Sequence, residues 1–267
     1  MAGVVQADPV TQLETPPESV VCPILIYHSV REYRPGDSAG ARQYIITPET
    51  LEKELQFLKD EHATPVSFEQ LTDAVEKGVP LPPNPVIISF DDGWASQYRN
   101  AVPLLKKFGF RATFFIFTNG IGVKHFMTAD QLRELADAGM EIGCHSRSHP
   151  YLAKITDAAA LRREIFDSRV KLEEVLGRPV TAFAYPFGRY TRQIVEEVKE
   201  AGYHAARSTY RGILHSKADL FTLTGLIDVT NVARIESGLR AAVLAEKPEY
   251  PPTGIDVSDY LEEGPGY

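Results

Sequence analysis

The feature that most constrains this chain is an alternation: short apolar runs, each followed by a segment whose apolar residues recur at helical spacing. Ile24-Leu25-Ile26-Tyr27 is the first run. Thr47 and Pro48 then open a helix, Thr47 as its N-cap and Pro48 at the first helical position, where a missing N–H costs nothing. Leu51, Leu55 and Leu58 follow on one face. Ser67 and Gln70 have capping-box spacing ahead of Leu71, Ala74 and Val75, and Gly78 stops that helix. Val86-Ile87-Ile88 is β-branched and continuous, as a strand buried on both faces requires. The pattern goes on through a helix stopped by Gly109, a run at 112–117 and a second capping box at Thr128 and Gln131. Then come a strand at 140–142, a long helix over 158–176, a strand over 181–185 and a helix over 192–201. Runs at 203–206 and 221–227 and a last helix over 235–244 complete it. Strands alternating with helices form right-handed βαβ units and a parallel sheet. Six or seven such units fit a barrel better than an open sheet, and in such folds chemistry gathers where strands end.

The 267 residues are 43% hydrophobic and 24% charged, enough for a sizeable core. A net charge of −8, with no basic run longer than pairs such as Lys106-Lys107, argues against a nucleic-acid partner. Cys22 and Cys144 are the only cysteines; they make no CxxC pair, and a single disulfide between them stays open. No apolar stretch of roughly 18 residues is present to form a transmembrane helix. Residues 1–20 are polar with Pro9, Pro16 and Pro17 and read as a flexible lead, residues 21–246 as the folded domain, and residues 247–267 as a tail. The lead lacks the basic region and apolar core of a signal peptide. The expected location is the cell envelope or exterior if an export signal precedes this chain, and the cytoplasm otherwise.

Asp91-Asp92-Gly93 follows the run at 86–90 directly. Adjacent carboxylates repel each other, and a metal can hold one as ligand while leaving the other as a base. Gly93 lets the backbone turn sharply behind them. Alone, the tripeptide fits a surface turn equally well. His145-Ser146-Arg147-Ser148-His149 also follows a strand. Neutral imidazole is a common metal ligand, and histidines at this spacing face one way on a helical turn. Pro150 disfavours a regular helix running through the point. Such a histidine pair alone is more often incidental. Two motifs that both end strands reinforce each other, and one Asp with two His leaves coordination positions open, as catalytic sites do. Cys144 is either a soft fourth ligand or, since strand neighbours point opposite ways, buried on the other face; alternation favours burial. The segment 183–188 (Phe-Ala-Tyr-Pro-Phe-Gly) is either a packed aromatic corner or a turn whose backbone N–H groups stabilise an oxyanion. His62, His125 and His204 read as structural or solvated.

On these residues the chain resembles the polysaccharide deacetylase family (carbohydrate esterase family 4, the NodB homology domain). The segment 89–93 resembles the family's TFDDG motif, with Ser89 in place of Thr, and 145–149 matches its H-[S/T]-x-x-H motif. The segment 184–188 matches the third motif in part. Many members carry at the position of Ala184 the arginine that orients the base, and this chain does not. The resemblance covers about residues 21–230. The opening 23–28 (Pro-Ile-Leu-Ile-Tyr-His) is similar to the PgaB/IcaB-type branch of poly-β-1,6-N-acetylglucosamine deacetylases. There the motif order is circularly permuted, and the Leu-x-His element comes first. His28 is then its histidine. Leu214-His215 is a second candidate, but Arg211, Gly212, Ser216 and Lys217 around it read as loop, which favours His28.

The resemblance implies an α/β fold, a distorted (β/α) barrel of about seven parallel strands. It implies a metal-dependent hydrolase that removes N-acetyl groups from an N-acetylglucosamine-containing polysaccharide and releases acetate. Asp92, His145 and His149 are then the ligands of one divalent metal, zinc by default, with iron, cobalt and nickel also suited to the donors. Asp91 is the general base, the Phe187 backbone N–H the oxyanion donor, and His28 (or His215) the general acid. Trp94 and Tyr185 are aromatic candidates for stacking on a sugar ring or for core packing. Two rivals stand beside this reading. One is an enzyme of the same fold acting on a small amide, a cyclic imide or a formylated sugar. The other is a glycan-binding protein without turnover, which only the missing arginine favours.

Overall fold

The computed structural model describes residues 19–226; residues 1–18 of the expected leading segment, the helix over 235–244 and the tail lie outside them. Seven strands form one parallel sheet: β1 (Ile24–Tyr27), β2 (Pro85–Phe90), β3 (Thr113–Ile116), β4 (Glu141–Cys144), β5 (Ala182–Ala184), β6 (Ala205–Arg211) and β7 (Leu223–Gly225). Each pairs with its predecessor in this series. The ends of the series also meet. Leu226 N–H donates to the Ile24 carbonyl at 2.7 Å, and Ile26 N–H donates to the Leu226 carbonyl at 3.0 Å. The sheet is therefore the seven-stranded α/β barrel that the alternation suggested. Two strand limits differ from expectation: β6 runs on to Arg211, and Leu214–His215, read as loop, is a short strand antiparallel to Val20–Val21.

Helices cover the outside: α1 (Pro48–Asp60), α2 (Phe68–Lys77), α3 (Val102–Phe108), α4 (Ala129–Asp137), α5 (Ser168–Leu176) and α6 (Arg192–Glu200). Thr47 accepts the Thr50 N–H, and both capping boxes form. Gly78, Gly109 and Gly177 end their helices in the left-handed conformation that costs glycine nothing. The long helix over 158–176 is interrupted by a π-turn at Arg163–Asp167, and a second π-turn, Gln97–Ala101, leads into α3.

Strand alternation sorts the core into two layers. Leu25, Ile88, Phe90, Phe114, Ile142 and Phe183 point outward and pack with Leu55, Leu105, Leu132 and Leu172 of the surrounding helices. Ile24, Ile87, Phe115, Ala182, Ala184 and Ala205 point inward and pack with Phe68, Leu71 and Val75 of α2. Each fully buried Ile, Leu or Phe contributes about 1.5–3 kcal/mol. The interior is tight: a Cβ at Gly143 would lie 2.4 Å from the Phe115 ring. Glu141, the first residue of β4, accepts the N–H groups of Phe68 and Glu69, which fixes α2 at the strands' N-terminal ends. The opposite, C-terminal end is left for the polar residues. Both cysteines are free and buried, so no disulfide joins them. Cys144 faces outward, its thiol donating to Ser168 Oγ at 3.2 Å, and is no metal ligand.

Candidate active site

Asp91 and Asp92 sit just beyond β2, His145 just beyond β4, and Phe187 just beyond β5. Alternation carries the inward parity of Ile87 and Ser89 on to Asp91, and that of Gly143 on to His145. Asp92 Oδ1 lies 3.6 Å from His145 Nε2 and 3.4 Å from His149 Nε2. One donor atom from each of these three residues falls within 4.8 Å of the others. His145 Nδ1 lies 2.7 Å from the Ala184 carbonyl, which can only accept, so Nδ1 carries the proton and Nε2 offers its lone pair. Burial, the largest cause, pushes both imidazoles toward the neutral form, His149 to about 4. Two neutral imidazoles and a carboxylate form a donor set that fits a divalent cation.

Asp91 is buried, which by itself pushes its carboxyl up. The Arg207 guanidinium, then His145 and His28, outweigh that and hold it below the usual carboxylate range. Arg207 Nη2 donates to Asp91 Oδ1 at 2.5 Å, while Asp91 Oδ2 faces His28 Nε2 at 3.8 Å. One oxygen is thus anchored and the other is free to take a proton. Arg207 is fully buried, and its guanidinium also lies 5.1 Å from the Phe115 ring. It is the register partner of Ala184 on the neighbouring strand. The base-orienting arginine missing at Ala184 is therefore replaced from β6, in space that the alanine side chain leaves open. Sequence reasoning missed Arg207 because a charged residue was taken to end the apolar run at 203–206. Its inward parity with Ala205 was the available signal.

The backbone around the site is held in costly conformations. Asp92, Ser146, His149 and Phe187 all have positive φ, at 75°, 67°, 59° and 58°. Such strain persists only where surrounding contacts fix it, and it concentrates at functional sites. Gly93 also has positive φ, and a Cβ there would lie 2.9 Å from Ile116 Cδ1, so the turn after the aspartates needs glycine. Glu164 fastens the histidine loop, accepting the N–H groups of Arg147 and Ser148 and the Ser148 hydroxyl. The Phe187 ring lies 4.6 Å from that of His149 and stacks on Tyr151 at 3.8 Å.

Three residues for which the sequence left alternatives open now have defined surroundings. His215 is buried, and its Nε2 lies 2.9 Å from the carbonyl of Cys22, which precedes β1, so it sits away from the strands' C-terminal ends and cannot be the acid. Tyr185 is fully buried and donates its hydroxyl to the Phe221 carbonyl, leaving no face for a sugar. Trp94 stacks one face on Phe126 and donates its indole N–H to Asp92 Oδ2 at 2.9 Å. It orients a carboxylate and leaves Oδ1 toward the histidines.

A family model described as polysaccharide deacetylase matches residues 78–206. That span holds Asp91, Asp92, His145 and His149; His28 and Arg207 fall outside it. The chain is 28% identical over 199 residues to a poly-β-1,6-N-acetyl-D-glucosamine N-deacetylase of Staphylococcus epidermidis, across 67% of this chain and 68% of that one. The deacetylase PplD of Streptococcus pyogenes, solved in complex with acetate, is similar with a TM-score of 0.76 at 27% identity, over 82% of this chain and 98% of that one. The polysaccharide deacetylase BC0361 of Bacillus cereus is similar with a TM-score of 0.72 at 27% identity, over 83% and 69%. With two aspartates and two histidines of its motifs gathered at one end of a seven-stranded barrel, this chain carries a polysaccharide deacetylase domain over residues 78–206.

Proposed function

We propose that this protein is a metal-dependent N-deacetylase that releases acetate from an N-acetylglucosamine-containing polysaccharide. One observation carries the reading: a buried, ionised Asp91 stands beside a convergent Asp92, His145 and His149 donor set, with His28 facing its free oxygen. Asp92, His145 and His149 would hold a divalent metal, zinc by default, with iron, cobalt and nickel suited to the same donors. When bound, the metal acidifies water and polarises the amide carbonyl.

The chain's own groups do the rest. Asp91 Oδ2 takes a proton from the water that adds to the amide carbon, while Arg207 keeps Oδ1 occupied. The Phe187 N–H, aimed by a left-handed backbone, donates to the oxyanion. His28 protonates the nitrogen as the C–N bond breaks, leaving acetate and a free amine on the sugar. The Staphylococcus epidermidis relative supports the substrate class; the cell envelope is the location proposed with that substrate.

The test is acetate release from poly-N-acetylglucosamine, chitin oligomers, peptidoglycan and acetylated xylan, with and without a chelator. Wild type is expected to act best on poly-N-acetylglucosamine and to lose activity on chelation. Asp91→Asn should lose at least about 100-fold in kcat. Activity indifferent to both would sink the mechanism. Turnover confined to small amides would move the chain to the rival same-fold class.

A further inference from the structure

We infer that Gln97 is a positioning residue that locks His28 to Asp91 by replacing a missing rung of the barrel's hydrogen-bond ladder. The inference rests on the proposed roles of His28 and Asp91.

The β1–β2 register ends with Tyr27 opposite Phe90, so the next pair along would be His28 and Asp91. In a parallel ladder at that pair, Asp91 N–H donates to the Tyr27 carbonyl and the Asp91 carbonyl accepts from Ser29 N–H. The first bond is present at 2.8 Å. The second is not, because Ser29 N–H donates to the Tyr44 carbonyl at 3.0 Å instead. The chain leaves the barrel here, which would strand two carbonyls next to the reacting groups. Leaving a buried carbonyl unpaired forfeits its hydration with no return.

Gln97 supplies the donors. Its Nε2 donates to the His28 carbonyl at 3.0 Å and to the Asp91 carbonyl at 2.5 Å. Both partners are acceptors, so the amide nitrogen must face them; no flipped assignment satisfies either. Gln97 is fully buried and opens the π-turn before α3, a local distortion often found at functional sites. Its Oε1 is buried without a hydrogen bond, so the side chain is placed for its donors at some cost. Neighbours on the same segment continue the support. Ser96 Oγ accepts the Val30 N–H at 3.3 Å, and Asn100 Nδ2 donates to the Val30 carbonyl at 2.7 Å. The departing segment 28–30 is thus carried by polar side chains, and among the described residues Gln97 ties it to the backbone of Asp91.

The experiment uses two shape-preserving variants of the full chain. Gln97→Met keeps volume and removes the donors; Gln97→Glu keeps shape and sets a carboxylate against two carbonyls. On whichever glycan wild type turns over, kcat should fall about 10–100-fold for Met and further for Glu. KM and bound metal should stay within two-fold of wild type. Crystal structures of the variants, which need no substrate, should show the His28–Asp91 separation lengthened beyond 3.8 Å. Wild-type kcat in Gln97→Met, or an unchanged separation, overturns the inference. A lengthened separation in an enzyme that deacetylates no glycan would uphold the lock and refute the proposed function instead.

Discussion

In the proposed mechanism Asp91 is the base, and Arg207, ahead of His145 and His28, keeps it charged inside the barrel. Arg207 is fully buried, and removing one partner of a buried ion pair costs about 3–5 kcal/mol, since the other charge is left unpaired. Arg207→Met is therefore expected to lower kcat by about 100-fold or more. It also has a pH signature. The guanidinium holds the Asp91 carboxyl below its ordinary value, so its loss raises that value, and the ascending limb of the kcat/KM profile moves to higher pH. The double variant Ala184→Arg, Arg207→Ala returns the cation to the neighbouring strand at the same register level. It should recover part of the lost rate. An unmoved ascending limb in Arg207→Met would show that Arg207 does not set the charge of Asp91. The motif residues were legible because their chemistry is unusual at strand ends. Arg207 and Gln97 were not, because their value lies in a parity and a broken ladder that appear only once strands are paired.

At the scale of elements, α1 shows both what a sequence discloses and what it conceals. The cap at Thr47 and the buried positions Leu51, Leu55 and Leu58 follow from spacing alone. Glu54 lies on the same face and is fully buried too, accepting the Tyr27 hydroxyl at 2.9 Å. Nothing in its spacing separates it from a solvated glutamate. Burial raises its carboxyl from 4.5 to about 8, against a smaller lowering by the Tyr27 hydrogen bond. Between those two values the folded chain binds more protons than the unfolded one, so this group's contribution is fully present below 4.5 and is lost as pH rises through about 8. The loss is at most about 5 kcal/mol. Glu54→Gln keeps an acceptor for Tyr27 and cannot ionise. Its melting temperature should exceed that of wild type by several degrees at pH 9, and the two should converge near pH 5. Equal melting at pH 9 would mean that Glu54 finds a charged-state partner in solution. The Leu214–His215 segment teaches the converse: its polar neighbours look like loop, but pairing with Val20–Val21 makes it a strand and takes His215 out of the site.

At the scale of the whole molecule, closure of the barrel decides where His28, the proposed general acid, stands. Strand count made a barrel the better fit but could not settle closure, because the seam between β7 and β1 joins residues some 200 positions apart through two backbone hydrogen bonds. His28 directly follows β1, so the seam and the Gln97 contacts hold it from opposite sides. The seam is close-packed at Gly225, where a Cβ would lie 2.7 Å from Ile26 Cδ1 and 3.1 Å from the Ile24 carbonyl oxygen. That oxygen is the acceptor of the closing bond from Leu226. Gly225→Val forces β7 away from β1 and should cost about 1–3 kcal/mol of stability, as overpacking of a tight interior does. If closure positions His28, kcat measured at a temperature where the variant is fully folded should fall as well, with bound metal retained, because Asp92, His145 and His149 follow β2 and β4, neither of which forms the seam. A variant that melts lower but keeps wild-type kcat would show that the seam only stabilises the barrel. A loss of metal together with rate would show that opening spreads around the sheet. The expected pattern, rate lost with metal kept, would separate the two halves of the site: metal ligands carried by the middle of the sheet, and an acid carried by the strand that closes it.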